Sequence, residues 1–287
     1  QIEKADMDEK LEVGANLFQE AISYYPDMEH AGPAQHLMWV ERTRKEVGMP
    51  LIASINAINP ETWVDYAKQL EGTGVNALEL NYYAVQTRLD KSAADIEKEL
   101  LDMIGQVKEN VRIPVSVKLS PHFTSIANIA AELDKKGADA LVLFNRFLQP
   151  DIDEDDEELV NVMELSHPSE MRLPLRWIAI LYGRIQADLA GNRGAKTGYD
   201  VAKYILAGAS VVQVASALYE NGLDYVNQMN DDLSKWMTEK GYSSVGDFRG
   251  KVSQKDAADP FEFERAQYVE LLRQQPPTGI ASTKEKQ

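Results

Sequence analysis

Two short phrases put reactive or hydrogen-bonding side chains where a parallel α/β fold does its chemistry. PVSVKLS (residues 114–120) sets the amine of Lys118 into an alternating, largely apolar run, and a buried Lys is rare unless it is paired or functional. Three uses are open to it: a salt bridge or a snorkelling side chain, a cation facing an electron-rich cofactor ring, or a Schiff-base amine. LELNYYAVQ (78–86) ends a buried run with an amide and two phenols, Asn81, Tyr82 and Tyr83, followed by the inert Ala84. Further on, AGNRGAKTG (190–198) offers small residues just before a helix. Such a loop points backbone N–H groups from the positive end of a helix dipole and is a ready phosphate site, although a plain Gly-rich turn has the same composition.

Other chemistries are excluded or unsupported. The 287 residues contain no Cys, which removes disulfides, thiolate nucleophiles and thiolate-held metal or iron–sulfur centres. His30, His36, His122 and His167 lack metal-ligand spacing. The acid run DIDEDDEEL (151–159) lacks the central Gly of a calcium loop and reads as a solvated acidic loop. With 30 Lys plus Arg against 46 Asp plus Glu, the net charge of −16 opposes nucleic acid and anionic lipid surfaces as partners. No apolar run approaches the length of a membrane span, and the charged start QIEKADMDEK is unlike a signal peptide. A cytoplasmic protein acting on a small molecule is expected.

The elements that must position these residues recur as one pattern. GVNALEL (74–80), GADALVL (137–143) and GASVVQV (208–214) each place Gly at the end of an amphipathic segment and a buried apolar run after it. PLIASIN (50–56) and PVSVKLS start with Pro instead, and IQADLAG (185–191) is a sixth strand candidate. The intervening segments have helical spacing, as in Trp63, Tyr66, Ala67 and Leu70, or Ile126, Ile129 and Leu133. Strands alternating with helices over short connections imply a parallel sheet, closed as a barrel or open and doubly wound. One barrel domain is expected over residues 1–250, followed by an extension at 251–287 with one short helix and a flexible tail. In a barrel the reactive groups collect at the C-terminal strand ends. Those ends carry Ser54 and Asn56, then Asn81 to Tyr83, Lys118 with Ser120 and His122, Asn145 with Arg146, the 190–198 loop, and Ala215 with Ser216.

VKLSPHF, LFNRF, KTGYDVAKYILAGASVVQVASALYENG and KGYSSVGDFRGK resemble the dihydroorotate dehydrogenases. These are FMN-containing (β/α)8 TIM barrels that oxidise dihydroorotate in pyrimidine biosynthesis. The similarity runs from about Pro50 to Lys251, and LELNYY, LFNRFLQPDID and MRLPLRWIA resemble a divergent branch of that family. The resemblance implies FMN as cofactor and hydride transfer to flavin N5. It makes Lys118 the cation at the N1/O2 edge of the flavin, and Asn81 and Asn56 amides that approach flavin or substrate. Asn145 becomes a pyrimidine-binding amide, while Gly191, Gly194, Ala215 and Ser216 form two phosphate-binding turns. Amides match the donor and acceptor edges of both rings, and small residues let backbone N–H reach phosphate.

The departures are specific. The family's Cys or Ser base aligns with Ala84, which leaves Tyr83, Tyr82 or His122 as replacements for proton removal, and the family's next Asn becomes Gln86. Arg193 stands in a phosphate turn in place of Gly, and SYYPDMEH (23–30) takes the place of the substrate loop. The first two family strands are expected before Gln1. The substrate is therefore pyrimidine-like or another small molecule. A homodimer or a separate electron-transfer partner remains compatible with the chain. A Schiff-base lyase using Lys118 and a non-catalytic barrel scaffold are the competing functions.

Overall fold

The computed structural model describes residues 33–56, 60–83, 85–147, 149–161 and 164–264. Ala84, the 23–30 segment with Tyr24 and Tyr25, His30, and most of the expected C-terminal extension lie outside them.

Six strands form one sheet in the order β1-β2-β3-β4-β7-β8, and every neighbouring pair is parallel. The strands are β1 Ile52–Ile55, β2 Ala77–Asn81, β3 Val115–Leu119, β4 Ala140–Leu143, β7 Asp188–Asn192 and β8 Val211–Gln213. Each falls within a run expected from sequence except β2, which ends one residue beyond GVNALEL at Asn81, and β7, which starts three residues into IQADLAG and ends one residue beyond it. The register carries Asn81 beside Lys118, Lys118 beside Val142, and Val142 beside Ala190, so the polar strand ends finish at one level. The sheet curls: Gln213 on the edge strand β8 hydrogen-bonds Glu79 on β2, although three strands lie between them. This is a partial barrel, with its interior side chains meeting across the curl.

Helices cover the outer face: α1 Pro33–Glu46, α2 Pro60–Gly72, α3 Ala93–Asn110, α4 Ile126–Lys135, α5 Arg172–Leu181 and α6 Gly198–Ala207. Their apolar stripes face the sheet, with Trp63, Ala67 and Leu70 of α2 and Ile126, Ile129 and Leu133 of α4 all buried. Sharp starts come from capping boxes, Ser92 with Asp95 at α3 and Thr197 with Asp200 at α6. After β8 the chain forms α7 Ser216–Asn221 and α8 Tyr225–Lys240. KGYSSVGDFRGK then folds under α8, where the Trp236, Tyr242 and Phe248 rings pack together. Backbone bonds from Val252 to Leu206 and from Gln254 to Ala179 tie this segment to α6 and α5.

The acid run is exposed as expected but is a hairpin rather than a loop. It forms an antiparallel hairpin, β5 Pro150–Asp153 with β6 Glu158–Asn161. The Asp153 carboxylate accepts the backbone N–H of Asp155 and Asp156, both at 3.0 Å, so the acids close the turn that composition alone assigns to solvent. Ile152 and Leu159 remain exposed on this hairpin.

Candidate functional site

Four strands contribute to a polar layer inside the curl. Glu79, only 5% exposed, stands in the centre of β2. Its carboxylate accepts from Ser54 Oγ on β1 at 2.8 Å and from the Gln213 amide on β8. Lys118 on β3 donates to Gln213 Oε1 at 3.0 Å and lies 3.8 Å from Glu79. Strand alternation explains why these groups share one face: β3 is buried at Val115, Val117 and Leu119 on its other face. The Lys118 amine is thus partnered, as a charge inside a fold must be, and its neighbours hold it aimed at the strand ends.

Above this layer lies a cavity of about 230 Å³. It is lined by Lys118, Asn145, Asn192, Gln213 and Ser216 at the ends of β3, β4, β7 and β8, and by Arg146 and Arg193. That is smaller than the roughly 300–1,000 Å³ of an ordinary ligand pocket. Asn145 is buried and its amide donates to the carbonyls of Tyr82 and Lys118 at 3.3 and 3.4 Å. Asn81 Oδ1 is buried with no hydrogen-bond partner. Asn81 does not line the cavity itself but ends β2 in register with Lys118, and an orphaned acceptor there suits a ligand N–H.

The β7 end is shaped by Tyr204. Its hydroxyl donates to the carbonyls of Asn192 and Arg193 at 2.9 and 2.7 Å, and burial pushes the phenol well above its ordinary range. Its ring lies against Gly191, where a Cβ would come within 2.4 Å. The chain then turns through two left-handed residues, Arg193 with φ 88° and Gly194 with φ 69°. Gly194 donates to Ser166 Oγ at 3.3 Å, and the Ser166 hydroxyl reaches Ser216 Oγ at 2.9 Å. Arg193 and Arg146 share the Glu170 carboxylate, at 3.4 and 3.1 Å. Burial lowers the Arg193 pKa, Glu170 opposes the shift and Arg146 adds to it.

The structure thus brings six expected residues, Lys118, Asn145, Arg193, Gly194, Ala215 and Ser216, to one cavity. Gly191 lies buried in β7 beneath it. Asn56 is exposed beyond the end of β1. Tyr83 and His122 are elsewhere: their rings flank Phe147, with centroids 4.4 and 5.5 Å away, in an aromatic group that does not line the cavity. Gln86 is exposed and its amide donates to the Tyr82 hydroxyl at 3.2 Å. Sequence reasoning missed Glu79, Gln213 and Asn192. Glu79 carries the same signal as Lys118, a charge within an apolar strand, whereas Gln213 and Asn192 are ordinary strand-end amides until the sheet curls. Among the described residues no group of three or more His, Asp or Glu could hold a metal ion, and no helix is long and apolar enough to cross a membrane.

Comparison with known proteins points one way. The family model described as dihydroorotate dehydrogenase matches residues 28–237. The catalytic subunit of dihydroorotate dehydrogenase B (NAD(+)) from Thermoplasma volcanium is 30% identical over 210 residues, 72% of this chain and 69% of that protein. The corresponding subunit from Desulforudis audaxviator is 32% identical over 207 residues, covering 70% and 67%. Dihydroorotate dehydrogenase A (fumarate) from Lactobacillus delbrueckii subsp. bulgaricus is 28% identical over 211 residues, covering 72% and 68%.

Proposed function

Because the chain belongs to the dihydroorotate dehydrogenase family, we propose that it is an FMN-dependent oxidoreductase acting on a small CH–CH donor such as dihydroorotate. The observation that carries this reading is Lys118, fixed by Gln213 and Glu79 at the cavity floor beside the orphaned Asn81 acceptor. The donor set fits a flavin: a cation for its electron-rich edge, amides for its pyrimidine ring, and small residues with hydroxyls for its phosphate.

When bound, FMN would supply a hydride acceptor. The chain's own residues bind and orient around it. Lys118 would present its ammonium to the electron-rich edge of the ring, and Glu79 and Gln213 limit that ammonium to one position. Asn81 and Asn56 offer amides to the ring, while Gly191, Gly194, Ala215 and Ser216 shape the phosphate end. Asn145, already anchored through its Nδ2 to two carbonyls, keeps its Oδ1 for a substrate N–H, and Gln86 adds a second amide. Ala84 carries no group that accepts a proton, and Tyr83 and His122 pack on Phe147 outside the cavity, so either would serve as base only by turning from Phe147 toward the substrate.

Anaerobic mixing of the FMN-loaded protein with dihydroorotate tests the proposal. Bleaching of the oxidised-flavin bands is expected. Bands that bleach with dithionite but never with dihydroorotate would move the function to another CH–CH donor, and a protein that takes up no flavin would end the proposal.

A further inference from the structure

Arg193 occupies a backbone conformation that a Cβ disfavours, at φ 88°. The side chain held there is turned inward, 16% exposed, and its Nε is buried without a hydrogen-bond partner among the described residues. Arg146, at the end of β4, reaches the same carboxylate, Glu170, which also accepts from the backbone N–H of His167 at 2.8 Å. Two guanidiniums therefore share one partly buried carboxylate. The other carboxylate near Arg146 belongs to Glu164, whose side chain is 77% exposed and screened by water. Lys118 is matched separately by Glu79.

The result is a local inversion of charge. The chain carries −16 overall, yet among the described residues its cavity is lined by Lys118, Arg146 and Arg193 and by no Asp or Glu. Ser166 and Ser216 add hydroxyls on the same wall. A guanidinium pair with neighbouring hydroxyls matches an anion with several acceptor oxygens, which can take two parallel N–H···O bonds from each arginine.

We propose that Arg193 and Arg146 hold a phosphate monoester dianion in this cavity, with Glu170 fixing the two guanidiniums apart between binding events. The Arg193 side chain is thereby the reason for a non-glycine residue at a left-handed position. The phosphate has two sources, the flavin itself or a phosphorylated substrate. Assignment to the flavin rests on the FMN reading; recognition of phosphate does not.

Three variants of the full chain separate strain from binding. Arg193→Gly removes the guanidinium and the strain, Arg193→Ala removes only the guanidinium, and Arg146→Lys keeps charge but loses the bidentate fork. Each is titrated with FMN and with riboflavin, and its melting temperature is followed with methyl phosphate. For both Arg193 variants, FMN binding weakens about 10- to 100-fold, the range for a lost charged hydrogen bond, while riboflavin binding is unchanged. Arg193→Gly alone melts higher than wild type. Arg146→Lys loses part of the preference for FMN. Methyl phosphate raises the melting temperature of wild type and leaves Arg193→Gly unmoved. A wild type that binds neither flavin but shows this methyl phosphate response refutes the FMN reading and supports a phosphorylated substrate. The proposal is overturned if Arg193→Gly keeps the wild-type preference for FMN over riboflavin, loses both equally, or if methyl phosphate stabilises neither protein.

Discussion

Removing the charge of Glu79 should unsettle the fold and the site together, because Glu79 is the carboxylate paired with the partly buried Lys118 ammonium. At 3.8 Å, the attraction is about 4 kcal/mol with an effective dielectric constant near 20. Desolvation of both groups offsets much of it, so the pair adds little net stability over an apolar replacement, whereas breaking it by removing one partner costs about 3–5 kcal/mol. Glu79→Gln keeps the shape and a hydrogen bond to Ser54, which places its cost near the lower end. Lys118→Met leaves the carboxylate with only its Ser54 and Gln213 donors and should cost a similar amount. The double variant strands neither charge and should recover at least about 1–2 kcal/mol of the summed losses, within the range of coupling between contacting residues. Urea unfolding of the four proteins, with a common slope, measures this coupling. Losses that add within about 0.5 kcal/mol would refute the view that Glu79 and Lys118 act as one unit.

Gly191→Ala places a methyl 2.4 Å from the Tyr204 ring and should destabilise by about 1–3 kcal/mol, as overpacking does, seen as a lower urea midpoint; an unchanged midpoint would contradict the close approach. Asp200 closes the α6 capping box, and bonds from Lys203, the Lys196 backbone and Thr197 outweigh its burial to hold its pKa below the ordinary value. Its contribution is therefore present above the unfolded pKa and lost as pH falls through the lower folded one, so Asp200→Asn should cost about 1 kcal/mol at neutral pH. That deficit should shrink below about pH 4; a deficit independent of pH from about 2 to 7 would contradict the linkage. Ala84→Cys should speed dihydroorotate-dependent flavin reduction by about 10²- to 10⁴-fold if only the base is lacking, measured in a single anaerobic turnover.

The strands were legible because buried parallel strands are short apolar runs bounded by Gly or Pro, a local signal that GVNALEL and GADALVL carry in full. Lys118 was legible for the same reason reversed, as a charge that breaks such a run. Its partners were not, since Gln213 is 95 residues away in sequence and meets it only through the curl of the sheet. The hairpin at 150–161 escaped because its strands are exposed on both sides and have no apolar alternation to read. The Arg146–Glu170–Arg193 cluster joins a strand end, a 3₁₀ turn at Pro168–Met171 and a left-handed loop. No periodicity relates three such sites. Tyr83 and His122 sit at strand ends as expected, yet their side chains turn to Phe147, a choice that packing makes and sequence spacing does not express.

The central claim is that the cavity above Lys118 is a flavin site. Titrating FMN into the wild-type chain and into Lys118→Met, followed by quenching of flavin fluorescence and the shift of its visible bands, tests it most directly. Saturable binding by wild type at one flavin per chain, weakened in Lys118→Met, is the predicted result. Equal binding by both proteins, or none by wild type, would contradict it.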